Sequence, residues 1–480
     1  MPFLRSPFRP DENYAVASRL FIKALALIYF AAFVSLAPQI SGLAGEEGIL
    51  PFRRVLDQNL ADHGLAALLR VPTLFWFDAS DVVLEGAAWT GAGLALLLLF
   101  GRWERVALIL LFVLYLSLYR AGQLFMNFQW DTLLLEAGLL AVFLHRSPTV
   151  LVLFLFHWLL FRLRFMSGVF KLASGDPSWA GFTALDHYFE TQPLPHVGAW
   201  FAHWLPEWLH RAGVGLTFFT ELLLPFFLFL PRPFRLAAVG LTLLMQVLIL
   251  ATSNHNFFNL LTIALCLLLL DDRVVNRLLP RRDRKAPPVD APGAAHRVSL
   301  AVVAVLLITS SLGGFLSLLG VPVPEPVARV RQAAQAFGVG AVYHVFPTMQ
   351  TERQELIIEG SDDGREWKAY TFRYKPQDPG ATPRFIVPHQ PRLDWLMWFV
   401  PTQHPVHLFW FGELMYSLER GSAPVLSLLA DNPFPDRPPR HLRVTAWRYR
   451  FTTPEERART GLWWRREYLG LFPMVPPRRP

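Results

Sequence analysis

Cysteine is all but missing from this 480-residue chain: the one copy, Cys266, lies inside the apolar run LLTIALCLLLL. No intrachain disulfide can form, and a CxxC redox centre or multi-cysteine metal site is excluded. Cys266 reads as a small buried hydrophobe. Also missing are HExxH and HxxxH spacings, a GxSxG elbow, a P-loop and a GxGxxG strand-turn-helix, so motifs alone name no reaction, metal or cofactor. The histidines His157, His187, His196, His203 and His255 are scattered. There is no N-x-S/T sequon and no KDEL-type retrieval signal.

Charge is also sparse, at 17% of residues, against 53% hydrophobic and 14% aromatic. A soluble domain carries about 25% charged residues. The apolar excess is clustered. Leu/Phe/Val/Ala runs continue to about Val321, and the remainder is rich in Pro, Arg, Trp and Glu, so composition divides the chain into 1–321 and 322–480.

A helix needs about 20 mostly apolar residues to cross a bilayer. Nine segments approach that, at approximately 18–38, 82–100, 104–121, 125–144, 149–171, 212–230, 235–252, 256–271 and 298–320. The fourth carries Asp131 and Glu136, and the eighth has only a short run. The first is read as a retained span, because no small-x-small cleavage site follows it at a suitable distance.

The formal charge of +8, from 45 basic against 37 acidic residues, is unevenly placed. Arg273, Arg277, Arg281, Arg282, Arg284, Lys285 and Arg297 cluster between two apolar segments, without any groove-reading or base-stacking motif. That pattern predicts a cytoplasmic loop and no nucleic-acid partner. With a cytoplasmic N-terminus (Arg5, Arg9), the same side receives Arg102, Arg105, Arg146, Arg232 and Arg235, and the loop at 253–255 has no Lys or Arg. Nine spans then place the C-terminal part outside: periplasmic in a bacterium, lumenal in a eukaryotic secretory membrane.

Two longer loops, 39–81 and 172–211, also face outward in this scheme. The second contains SGDPSW, HYFETQPLP and AWFAHWLPEWLHR, in which Trp200, Trp204 and Trp208 recur at i, i+4, i+8. The spacing predicts an interfacial helix at the headgroup level. After the spacer VPVPEP, QELIIEGSDDGREWKAYTFRYKP reads as a hairpin and HLRVTAWRYRFT as a late strand. DWLMWFV and FGELMYSLERGSAPVLSLL read as helices. The expected fold is therefore an α-helical membrane bundle of about nine spans followed by a soluble, β-sandwich-like C-terminal domain with helical insertions.

Ionisable residues within spans are costly unless paired or hydrated. Arg162 and Arg164 interrupt the fifth span, Lys171 sits at its outer end, and Asp131, Glu136 and Glu221 lie in neighbouring spans. They read either as buried ion pairs or as the lining of an outward-opening polar cavity, formed by Arg162, Lys171, Glu136 and Glu221, in which a charged headgroup or substrate sits.

In order along the chain, AFVSLAPQISGLAGEEGILP, PTLFWF, QWDTLLLEAGLLAVFL, RLRFMSGVFKLASGDPSW, HYFETQPLP, NFFNLLTIALCLLLLDD, IEGSDDGREW, PHQPRLDWLMWF and NPFP resemble the lipase maturation factor family. The resemblance implies a multispanning membrane protein with a C-terminal domain on the lumenal side that brings secreted lipases to an active state. Its membrane part is also similar to the helical unit of vitamin K-dependent γ-carboxylase. The missing sequon and retrieval signal point toward a bacterial member in a plasma or inner membrane.

Two functions follow. The first is a chaperone-like maturation factor, more in keeping with a non-enzyme, whose partners are a secreted lipase-like client and membrane lipids. Asp176, Trp179, Tyr188 and Glu190 in the second outward loop, and Asp394 and Trp395 in PHQPRLDWLMWF, are its candidate binding residues beside the span charges. The second is an enzyme acting on a lipid-linked or quinone-like substrate, with Lys171 and His187 as acid/base candidates.

Overall fold

The computed structural model describes residues 13–144, 148–280 and 292–473. Arg5, Arg9 and Arg146, with Arg281, Arg282, Arg284 and Lys285 of the basic cluster, lie outside the described residues. All nine apolar segments contain helix: α1 Ala15–Leu36, α2 Asp81–Leu99, α3 Glu104–Ala121, α4 Gln129–Leu144, α5 Val150–Ala173, α6 Glu207–Phe218, α7 Arg232–Thr252, α8 Phe258–Cys266 and α9 Ala294–Leu318.

Six of these are long and apolar enough to cross a membrane: α1, α2, α5, α7, α9 and α6 with its extension to Phe229. The other three fall short of the nine expected for identifiable reasons. α3 carries Glu104, Arg105 and Arg120 in 18 residues. α4 has 16 residues, including Asp131 and Glu136. α8 tightens into a 3-10 turn at Leu267–Leu269.

At one end of the bundle, the Asp272 carboxylate accepts the backbone N–H groups of Val16 and Ala17, 3.0–3.1 Å away. A carboxylate there satisfies otherwise orphaned amides and suits the positive end of the α1 dipole. Asp271 holds Arg232 at 2.5 Å and accepts the Val274 N–H.

At the other end, among the described residues, sits a single four-stranded antiparallel sheet in place of the expected sandwich, in which the first and third strands are central and the second and fourth are the edges. The strands are β1 Arg353–Ser361, β2 Lys368–Ala369, β3 His441–Phe451 and β4 Trp464–Leu471. The alternation at Tyr370, Phe372 and Tyr374 does not continue β2. Its amides turn to side chains instead: Phe372 N–H donates to Gln377, and Tyr374 and Lys375 N–H donate to Asp394. Helices Arg392–Met397 and Pro405–Glu419 cover one face of the sheet, so no second sheet is needed.

Cores cross the composition boundary. Val339, Tyr343 and Trp395 are buried among bundle side chains, and Leu43, Ile49, Leu50 and Phe125 are buried beneath the sheet. The expected interfacial helix is broken at Pro206 into Val197–His203 and Glu207–Phe218, because proline favours a helix start and interrupts a helix interior. Trp200 is consequently no belt anchor. It is buried against the sheet, with its indole N–H on Thr452 O at 3.0 Å, while Trp208 is exposed.

Candidate functional site

Residues 339–349 carry no regular secondary structure. They descend between α4, α5 and α9, and their backbone groups find partners on bundle side chains. Glu136, in an ion pair with Arg162, accepts Gly340 N–H at 2.8 Å. Arg162 donates to Ala341 O at 3.2 Å, and Ser310 to Gly340 O at 3.1 Å. Ser167 accepts Val345 N–H at 3.0 Å, and Lys171 donates to Val345 O at 2.8 Å. Trp179 donates its indole N–H to Phe346 O at 3.1 Å, and Asp176 accepts Met349 N–H at 2.9 Å.

Non-helical backbone is tolerated at membrane depth only where protein satisfies it. Glu136 lies seven residues from the sheet-side end of α4, and Ser310 eight from that of α9, so Gly340 sits roughly 10–12 Å below those ends at 1.5 Å per residue. Gly340 has φ +66°, and a Cβ there would run into Ser310 Oγ. Only glycine fits this turn.

Five charged residues singled out in the sequence thus act together. Glu136 and Arg162 form one buried pair, and Lys171 and Glu221 form another at 2.8 Å. The two pairs and Asp176 grip the descending segment. Glu221 is aimed by a π-helical turn, Phe219–Leu223, that follows α6. Pro225, four residues on, lacks the N–H that would bond Glu221 O in an α-helix, which favours the irregular turn.

A second seam joins residues 384–394 to the bundle. Asn254 bonds Arg384 O and Ile386 N–H at 2.8 and 3.0 Å. Ser35, Gln39 and Asn256 hold Gln390, and Gln39 also accepts Arg392 N–H. The Arg392 guanidinium then reaches both oxygens of Asp131, at 2.6 and 2.8 Å. Asp394 turns the other way and accepts the amides of Tyr374 and Lys375; burial holds its carboxyl above the usual carboxylate range. Trp395 packs edge-on against Trp130, 5.1 Å away.

The third seam ties the 172–211 loop to the sheet. Buried Arg353 donates to the carbonyls of Glu190, Gln192 and Pro193. Glu190 accepts Phe451 N–H at 2.7 Å, and burial raises its carboxyl above the usual range.

Tyr188, Lys171, Trp179 and His255 share the wall of a cavity of about 260 Å³. Tyr188 bonds His255 at 2.8 Å, and burial lowers that imidazole to about 4, so it is neutral. His187 lines a separate cavity with Glu190, His203 and Arg353. Lys171 and His187 are therefore not brought together at one cavity. Among the described residues no group of three or more His, Cys, Asp or Glu could hold a metal ion. Arg392, Asn254, Asn256, Ser35, Gln39 and Gln390 were not foreseen from sequence; the polar SNHN between two apolar helices was the available signal.

Two family models match the chain: the lipase maturation factor transmembrane domain over residues 16–277, and the lipase maturation factor C-terminal domain over residues 339–474. Lipase maturation factor 2 of Mus musculus is 35% identical, over 96% of this chain and 83% of that protein. Lipase maturation factor 2 of Homo sapiens is 34% identical over 95% and 82%, and lipase maturation factor 1 of Bos taurus is 34% identical over 95% and 88%. No solved structure matches. A multi-pass helical bundle, a sheet sewn to one end of it and similarity over nearly the full length identify the chain as a member of the lipase maturation factor family.

Proposed function

We propose that this protein matures secreted lipase-like clients from the membrane, with its sheet-bearing end in the compartment where those clients fold. The observation that carries this reading is the seam along residues 339–349, which ties the sheet-bearing C-terminal part to the bundle. The relatives are named for lipase maturation and align with both parts, which supports a common role. In a bacterial inner membrane the sheet is then periplasmic; in an endoplasmic reticulum membrane it is lumenal.

The orientation is supported by where the ends of the helices are tied. The C-terminal ends of α1 and α5, the N-terminal end of α4 and the loop after α7 all bond the C-terminal region. The N-terminal ends of α1 and α7 bond Asp272 and Asp271, beside Arg273 and Arg277. Alternating passes of all nine helices satisfy these ties, with the short α4 and α8 mostly buried among their neighbours. The positive residues then collect on the cytoplasmic side.

The test uses a Cys266→Ser background carrying Arg365→Cys, at an exposed position between β1 and β2. An impermeant maleimide labels it in intact cells, or in sealed vesicles of lumenal orientation only after permeabilisation, and a secreted lipase co-purifies with the detergent-solubilised protein. Labelling from the cytoplasmic side, or no lipase recovered above a mock purification, overturns the reading.

A further inference from the structure

We propose that the cavity between α5, α6 and α7 is a binding site for a single-chain anionic amphiphile, its acidic head held by Arg164 and its tail lying toward the lipid-facing side. The cavity, of about 260 Å³, is lined at depth by Arg164, Lys171 and Glu221 and toward its mouth by Leu216, Leu248 and Ile249.

Two cations face one carboxylate here, and that carboxylate is engaged by Lys171 at 2.8 Å. Among the described residues Arg164 has no carboxylate within ion-pair distance; its guanidinium donates one bond, to Thr220 at 3.0 Å, and its Nε is without a partner. The residue is 8% exposed. A buried guanidinium left with one neutral partner is costly in a bilayer, and an entering anion removes that cost with a charge-assisted bond.

α7 is mostly uncovered by protein and displays apolar side chains, and Leu248 at the cavity mouth is 46% exposed. A ligand therefore enters from the hydrocarbon phase, which selects for a tail. Arg164 lies nine residues from the sheet-side end of α5, roughly 14 Å below it. An acyl chain with a carboxylate or phosphate head matches a deep cationic end and an apolar throat. Val345, Phe346 and Met349 of the sewn-in segment form part of the wall, so occupancy also bears on that segment.

The experiment is photolabelling of the purified full chain with a diazirine-bearing palmitate analogue, mapped by mass spectrometry, for wild type, Arg164→Gln and Leu248→Trp. Label is expected in peptides spanning 205–221 and 245–262, falling at least tenfold in either variant. Leu248→Trp fills the mouth from a half-exposed position, so it carries the test if Arg164→Gln misfolds. Oleate competing better than lysophosphatidylglycerol names a free fatty acid as occupant, and the reverse names a single-chain phospholipid; both support the site, whereas competition by diacyl phosphatidylglycerol alone overturns it. Label that is unchanged in Leu248→Trp, or that falls mainly on the lipid-facing side of α9, overturns it.

Discussion

Arg392 and Asp131 are 261 residues apart in sequence and form a two-pronged ion pair, 2.6 and 2.8 Å long, with both side chains essentially out of contact with solvent. Tyr115 donates a further bond to the same carboxylate at 2.6 Å, and Arg392 also reaches Phe125 O. The pair fixes the helix Arg392–Met397 over the start of α4. Bidentate guanidinium–carboxylate geometry adds direction as well as attraction.

Removing one partner strands a buried charge. Arg392→Met is expected to destabilise the protein by about 3–5 kcal/mol, whereas Arg392→Met with Asp131→Leu recovers much of that loss. Unfolding midpoints in detergent, followed by tryptophan fluorescence, give the comparison. A single variant as stable as wild type contradicts the clamp.

Glu136→Gln leaves the side chain's size unchanged but removes the charge that Gly340 N–H and Arg162 share. Amides along 339–349 are expected to exchange faster with solvent deuterium, while those of the β1/β3 ladder keep their protection. Equal protection in both proteins would mean that the segment is held by packing alone.

Burial lowers His255 and His389 to about 4, below the ordinary histidine value of about 6.5. In the window between those values the unfolded chain binds protons that the folded chain refuses, so stability rises with pH there and falls as pH drops from about 6.5 to about 4. His389 faces Ser35, Tyr374 and the positive Arg392 and Arg373. His389→Gln is expected to flatten the profile of melting temperature against pH. A profile as steep as wild type's assigns the acid sensitivity elsewhere.

Arg457 stacks over Trp463 at 3.6 Å and faces Trp200 at 5.5 Å. This joins the 172–211 loop to the sheet. Arg457→Gln is expected to cost about 1–2 kcal/mol, as a partly desolvated cation–π contact does. Limited proteolysis near Trp204 reads the loosening; unchanged cleavage argues that the Trp200–Thr452 bond suffices.

The bundle was legible because apolar runs of membrane length leave few alternatives, and all nine segments proved helical. The β3 strand was legible from alternation, and β1 as the first strand of a DDG hairpin. β4, Trp464–Leu471, was not foreseen: WRREYLGL is polar and largely exposed, as an edge strand can be. The charged residues of α4 and α5 stood out as costly in a membrane, and Glu136, Arg162 and Lys171 among them hold the 339–349 segment. Their partners were hidden, because those partners are mostly backbone groups of 339–349, which no side-chain pattern reports. The sandwich expectation treated the C-terminal part as self-contained, whereas Leu43, Leu50 and Phe125 complete its core from outside.

The proposed maturation role depends on the sheet being fixed to the bundle. The most direct measurement is secreted lipase activity per unit of lipase antigen in cells lacking this protein and complemented with wild type or with Arg392→Met at matched membrane levels. Wild type is expected to restore specific activity, and Arg392→Met to restore little of it while antigen is still secreted. Equal specific activity in the deleted and complemented cells would contradict the maturation role, and full rescue by Arg392→Met would contradict its dependence on the clamp.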